Sequence, residues 1–239
     1  MRINWFTVLI LVLIAKSIMQ MDFLQVFCGA LVVFTCLPVH EFAHGYMANK
    51  LGDPTAEMQG RLTLNPFAHL DFVGTIMILF MGFGWAKPVP VNPRYFRNER
   101  AGMAMTAFAG PLANLIMAFI ATVMLRFAYY PYALNRAWWA EPVFVILQTL
   151  VIINVSLALF NLLPVHPLDG SRILAYFLPT HCNRWIEEHS EMISLVMMAV
   201  IFLTDLVSVP LSWLAGHVFD LLLLMTEFID PFARMIAGG

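Results

Sequence analysis

The sequence predicts an all-α polytopic membrane protein. We expect about six transmembrane helices in a single domain over residues 1–239, with a small re-entrant β-hairpin or loop region. Three observations predict this. Hydrophobic residues make up 61% of the chain and charged residues 12%, whereas a soluble domain carries about 25% charged residues. Apolar runs approaching or exceeding the ~20 residues needed to cross a bilayer recur along the chain. The breaks between them are made by glycine and proline, without polar linkers, internal repeats or low-complexity runs. The net charge of −2 gives no basis for binding nucleic acid. Cys28, Cys36 and Cys182 are few and unpatterned, so no disulfide framework is implied.

The elements follow in order. Trp5 to Met19 is apolar except for Lys16. It is short for a span, so it reads as a tilted first helix. No convincing small-residue cleavage site precedes Asp22, so that helix is expected to be retained. Asp22 to Lys50 is a long second helix, stopped by Gly52-Asp53-Pro54. Gly60 to Pro66 alternates polar and apolar side chains, the period of a short strand. Gly84 to Pro93 is rich in proline, which restricts it to an edge strand or an extended loop. Between these, Phe72 to Phe83 is apolar but too short to span, and suits a re-entrant or interfacial segment. Gly102 to Tyr130 is the third full helix. Its Ala109-Gly110-Pro111-Leu112-Ala113-Asn114 stretch permits close packing, and Asn114 reads as a packing residue. Glu141 to Leu163 is the fourth, broken by Pro164 and Pro167. A short helix over Ser171 to Leu178 follows. Glu191 to Val209 and Leu211 to Phe228 complete the set, divided near Pro210.

The chemistry is concentrated in His40-Glu41-Phe42-Ala43-His44. Residues four apart lie one turn apart on the same helix face, so His40 and His44 can bind one metal ion. Glu41 can then reach a metal-bound water as general base without being a ligand. Ionisable groups inside an apolar helix are costly and mark function by default. The bland alternative is a set of helix-end polar residues snorkelling to the interface. A catalytic zinc takes three protein ligands and leaves one position open. Asp169, in the proline-bounded break, is a candidate third ligand, although an Asp before a helix is also a common cap. His166 is a rival three residues away. Cys36, one turn before His40, could also approach the metal, but a lone buried cysteine is usually packing. Asp205 and Asp220 read as acids near helix ends.

Charge placement tests this arrangement. With the N-terminus in the cytoplasm and six spans, ten of the thirteen Lys and Arg fall on the cytoplasmic side. These are Arg2, Lys50, Arg61, Lys87, Arg94, Arg97, Arg100, Arg172, Arg184 and Arg234. Lys16, Arg126 and Arg136 remain. The same topology puts His40, His44 and Asp169 at one depth, toward the cytoplasm.

His40-Glu41-Phe42-Ala43-His44, together with Phe160-Asn161-Leu162-Leu163-Pro164 and Leu168-Asp169-Gly170, resembles the site-2 protease family of intramembrane zinc metalloproteases. Gly60 to Pro66 and Gly84 to Pro93 resemble its compact prokaryotic subgroup, and no PDZ or CBS domain is visible. The resemblance covers about residues 20 to 180. His166 stands where the family pattern suggests an apolar residue or proline. The resemblance implies Zn2+ as cofactor, Asp169 as third ligand, and Asn161 as a catalytic residue that positions substrate or stabilises the oxyanion. It also implies a transmembrane protein substrate, cut within or near its membrane segment, and a home in a prokaryotic cell membrane. An edge strand at Gly60 to Asn65 or Pro88 to Asn92 could hold the unwound substrate. The rivals are a membrane metal transporter and a non-catalytic helix-binding scaffold; neither needs a base beside its first ligand.

Overall fold

The computed structural model describes residues 23–81, 84–134 and 138–236. The expected first helix, Trp5 to Met19, lies outside the described residues. Within them all regular structure is helical and no strand forms.

Helix α1, Phe23–Leu31, passes through a π-helical turn, Val32–Cys36, into α2, Leu37–Lys50. Pro38 accounts for the widened turn. It has no N–H for the carbonyl four residues back, and its ring crowds the preceding turn. The chain responds by taking one extra residue into that turn, with Leu37 N–H reaching back to the Val32 carbonyl. An extra residue rotates everything downstream by about 100° relative to an uninterrupted helix. The face that carries His40 and His44 is thereby set against the next long helix.

A single turn, α3 (Thr55–Met58), and a 3-10 turn, Pro66–Ala68, lead to α4, Phe72–Met81. At ten residues α4 is too short to cross a bilayer, as its sequence implies. The strand expected of Gly60 to Pro66 is corrected to a loop of turns and bends, and of the two alternatives for Gly84 to Pro93 the loop is the one found, without strand pairing. In the second, Pro88 and Pro90 have no donors. The N–H groups of Lys87, Val89 and Asn92 go to the His69 carbonyl, Glu41 and Asp53.

Helix α5, Glu99–Ala133, starts at Asn98, whose side chain accepts from Ala101 N–H at 3.0 Å. Its two faces invert the pattern of a soluble helix. Ala118, Ala121, Leu125 and Ala128 are buried, while Ile116, Ile120, Met124 and Phe127 point outward. Small residues let neighbouring helices approach, and large apolar ones suit lipid. Helix α6, Ala140–Asn161, packs along α5. Beyond the proline break come α7 (Asp169–Phe177), α8 (Thr180–Glu188), α9 (Ser190–Leu203), α10 (Ser208–Thr226) and α11 (Asp230–Ile236). The core joins α5, α6 and α10 through Ala118, Ala121, Val151, Val155 and Leu222.

Four stretches of the described residues are long and apolar enough to cross a membrane: Val26–Lys50, Glu99–Ala133, Ala140–Asn161 and Ser208–Ile236. The expected division near Pro210 is displaced. The helix before it already stops at Leu203, and Pro210 sits in the first turn of α10, where its missing N–H costs nothing. Helix α9 has only 14 residues. The C-terminal end also differs from expectation. Arg126, in the second half of α5, donates to Asp230 and to the Leu223 carbonyl, so α10 runs parallel to α5. Arg234 therefore lies at the end of the bundle opposite the first turns of α5, and not beside them.

Candidate metal centre

Helix α2 supplies His40 and His44, both buried, with their rings edge-on at a centroid separation of 4.5 Å. Their Nε2 atoms lie 3.0 Å apart. Asp169 Oδ2 completes a triangle, 3.1 Å from His40 Nε2 and 3.2 Å from His44 Nε2. Two glycines make the convergence possible. A Cβ on Gly110 of α5 would stand 2.5 Å from His44 Nε2 and 2.6 Å from His40 Cε1. A Cβ on Gly170 would stand 2.3 Å from the Leu162 carbonyl oxygen, so only glycine lets the chain after Asp169 turn against the end of α6. Asp169 does not cap its helix: Leu168 holds the N-cap position, without a side-chain cap, and the carboxylate goes to the histidines.

The outer ring nitrogens fix what the inner ones can do. His40 Nδ1 is 3.1 Å from Asn114 Oδ1, and His44 Nδ1 is 2.7 Å from the Thr106 carbonyl oxygen. Both partners are acceptors, so each Nδ1 carries a proton and each ring turns Nε2 inward, the atom that can give its lone pair to a metal ion. Asp169 Oδ2 is buried and finds no hydrogen-bond donor. His40 Nε2, His44 Nε2 and Asp169 Oδ2 thus face one another at 3.0–3.2 Å. With both rings neutral, that packing is repulsive alone and attractive around a cation. Tetrahedral zinc, with bonds of about 2.0–2.1 Å to nitrogen and oxygen, separates its ligand atoms by about 3.3 Å. The donor set and its spacing fit that ion. A carboxylate with two imidazoles is the donor set that binds such an ion.

Glu41 follows His40 and is partly buried; its Oε2 accepts from Val89 N–H at 2.8 Å. The other candidates lie apart. Asn161 donates to the Leu157 carbonyl within its own helix, at 2.9 Å, and is not one of the converging groups. His166 is exposed and pairs with Ser194 Oγ at 3.2 Å. Cys36 is buried against Asn154, whose Nδ2 lies 3.3 Å from its sulfur. Asp205 and Asp220 are exposed. Sequence reasoning missed Asn114, which it assigned to packing, and the Thr106 and Val89 backbone groups. A polar amide three residues after the Gly110-Pro111 pair in an apolar helix was the available signal for Asn114. Backbone partners leave none.

Comparison with known proteins gives three results. Residues 130–204 match the profile of Peptidase family M50, a stretch that contains Asp169. "Putative zinc metalloprotease YwhC" of Bacillus subtilis is 42% identical over 168 residues, 70% of this chain and 76% of the relative. "Putative zinc metalloprotease Rip2" of Mycobacterium tuberculosis is 27% identical over 203 residues, covering 82% and 72%. "Zinc metalloprotease MJ0392" of Methanocaldococcus jannaschii is 26% identical over 175 residues, covering 72% and 40%. No solved structure gives a significant match.

Proposed function

The chain belongs to peptidase family M50, and from that premise we propose how its residues carry out peptide hydrolysis in the membrane. It is an intramembrane zinc metalloprotease. In this reading His40, His44 and Asp169 hold the ion. Zinc bound there supplies a Lewis acid, which polarises a carbonyl and makes water acidic enough to ionise near neutrality. Glu41 removes a proton from the attacking water as its oxygen bonds to the scissile carbonyl carbon. Glu41 then returns the proton to the amide nitrogen as the C–N bond breaks. Asn161, at the end of α6, is assigned to positioning the substrate chain. The observation that carries the reading is the convergence of His40 Nε2, His44 Nε2 and Asp169 Oδ2 within 3.0–3.2 Å of one another.

The substrate is a transmembrane segment of another membrane protein. Its peptide bonds are shielded by their own hydrogen bonds, so it must unwind, and its freed backbone needs partners. The Gly60 to Asn65 segment suits that task better than Pro88 to Asn92. Among the described residues the Leu62 and Leu64 N–H groups find no partner, whereas those of Lys87, Val89 and Asn92 are engaged. We assign the site to the cytoplasmic side of a prokaryotic cell membrane. Lys50, Arg61, Lys87, Arg94, Arg97, Arg100, Arg172 and Arg184 lie in segments at the site's end of the bundle, while Arg126 and Arg234 lie toward the other, and cytoplasmic loops are the cation-rich ones. A transporter or a scaffold would leave Glu41 without a task.

The test is cleavage of a single-span membrane substrate by purified protein in detergent, with wild type and Glu41→Gln side by side. Wild type cleaves. Glu41→Gln keeps a full complement of zinc and loses activity by about 10²–10⁴ or more. Undiminished cleavage by Glu41→Gln would remove the assigned base.

A further inference from the structure

Three groups outside the metal centre carry polar chemistry that the reaction does not use: Asp53, fully buried; His69, 1% exposed; and Arg61. All three residues act on one short piece of chain, Lys87 to Asn92: Asp53 and Arg61 through their side chains, and His69 through its backbone carbonyl, while its ring Nε2 lies 2.8 Å from the Thr63 carbonyl. The His69 carbonyl accepts from Lys87 N–H at 2.9 Å. Arg61 Nη2 donates to the Lys87 carbonyl at 2.7 Å and to the Pro88 carbonyl at 3.2 Å. Asp53 Oδ2 accepts from Asn92 N–H at 2.6 Å, while its Oδ1 accepts from Thr55 N–H at 3.0 Å. Between these anchors stands Val89. Its N–H donates to Glu41 Oε2 at 2.8 Å, and its side chain rests on α2 where a Cβ on Gly45 would come within 3.1 Å of it.

The flanking prolines sharpen the arrangement. Pro88 and Pro90 fix φ near −65° and carry no N–H, so Val89 presents the sole donor between Lys87 and Val91. A segment pinned at both ends and stiffened on both sides of one amide holds that amide in one place. We propose that Lys87–Asn92 is a positioning strap for the general base: Asp53, Arg61 and the His69 carbonyl hold the Val89 amide, and the amide fixes the rotamer of Glu41 over the metal centre. Asp53 and Arg61 are thus positioning residues for hydrolysis, remote from the ion. The inference rests on the assignment of Glu41 as base. Displacing a reacting group by about 1 Å costs on the order of a hundredfold in rate, so loosening the strap lowers turnover.

Two measurements test it in full-length protein. The first is hydrogen exchange in detergent, read on fragments spanning Pro88 to Pro90, where Val89 contributes the only amide proton. Exchange at Val89 is slow in wild type and in Glu41→Gln, which keeps an acceptor oxygen, and at least tenfold faster in Glu41→Ala. The second is kinetics of Asp53→Asn and Arg61→Met. Both lower kcat by tenfold or more, with KM and bound zinc unchanged, and Arg61→Lys recovers part of the loss. Arg61→Met keeps the measurement meaningful where Asp53→Asn fails to fold. Slow exchange at Val89 in Glu41→Ala would overturn the contact. Fast exchange in Arg61→Met with wild-type kcat, or zinc lost in step with kcat, would overturn the positioning role. A wild-type enzyme that cleaves nothing would overturn the peptidase reading instead, and the exchange comparison alone would then decide whether the strap holds Glu41.

Discussion

Helix α5 carries two polar clusters, one toward each end, and they are built on opposite principles. Near its N-terminal end, Thr106, Gly110 and Asn114 face His40, His44 and Asp169, and the inward atoms are all acceptors. Near its C-terminal end, Arg126 donates to Asp230 Oδ2 at 3.0 Å, to Thr226 Oγ1 at 3.3 Å and to the Leu223 carbonyl. The second cluster closes its charge within the chain. The first leaves a deficit that only a cation fills. A polar network whose charges are paired stabilises one packing of helices, whereas a network lacking one sign of charge is a binding site.

The contrast breaks most visibly at Asp169. Asp169→Ala removes the proposed third ligand and, in the metal-free protein, a buried carboxylate held 3.1–3.2 Å from two imidazole nitrogens. We expect bound zinc to fall below one-tenth of the wild-type ratio after dialysis against a weak chelator. The melting temperature of the metal-free protein should stay the same or rise. A wild-type zinc-to-protein ratio would take Asp169 out of the coordination set.

Gly110→Ala sharpens the comparison from the facing helix. The new methyl meets ring atoms of both histidines at 2.5–2.6 Å, and the backbone behind it belongs to a packed helix that cannot retreat. Zinc affinity should drop by tenfold or more with helical content retained by circular dichroism. Retained affinity would mean that the ligand helices have room to move apart. Asn114→Leu acts more mildly. It removes the acceptor that keeps the His40 proton on Nδ1, and loss of such an outer partner costs about 10–100-fold in metal affinity. A competition titration with a chelating dye measures it, and an unchanged dissociation constant would leave Asn114 a packing residue.

These residues also show what could be read from the chain. His40, Glu41 and His44 were legible because helical spacing alone puts two imidazoles on one face. Asp169 was legible as a candidate because prolines break the helix beside it. Its choice over a capping role was not, since that depends on the path by which Gly170 turns against α6. Asn114 was read as packing because nothing local says which neighbour faces it; the π-helical turn before Pro38 decides that, by rotating the histidines toward α5. The same limit applied to the strands. Alternating side chains at 60–65 and prolines at 84–93 indicated extended chain, but pairing needs a partner strand, and the donors went to Glu41, Asp53 and His69 instead. The direction of α10 was hidden too, because an apolar helix reads alike in either orientation until Arg126 finds Asp230.

The far cluster gives the smallest effect and the cleanest control. Arg126 and Asp230 are 18% and 27% exposed at their side chains, so their pairing is partly screened. Breaking a fully buried pair costs about 3–5 kcal/mol because one charge is stranded. At this exposure, and with the Leu223 carbonyl and Thr226 also losing a donor, Arg126→Met should cost about 1–3 kcal/mol. That is a clear fall in melting temperature. Zinc affinity should not move, because nothing in this cluster faces the ligands. Arg126→Met combined with Asp230→Leu should recover most of the loss, since removing both charges strands neither. A fall in zinc affinity in the single variant would mean that the two ends of α5 are mechanically coupled. Independence would mean that the cluster lacking a cation and the cluster that supplies its own are separate devices on one helix.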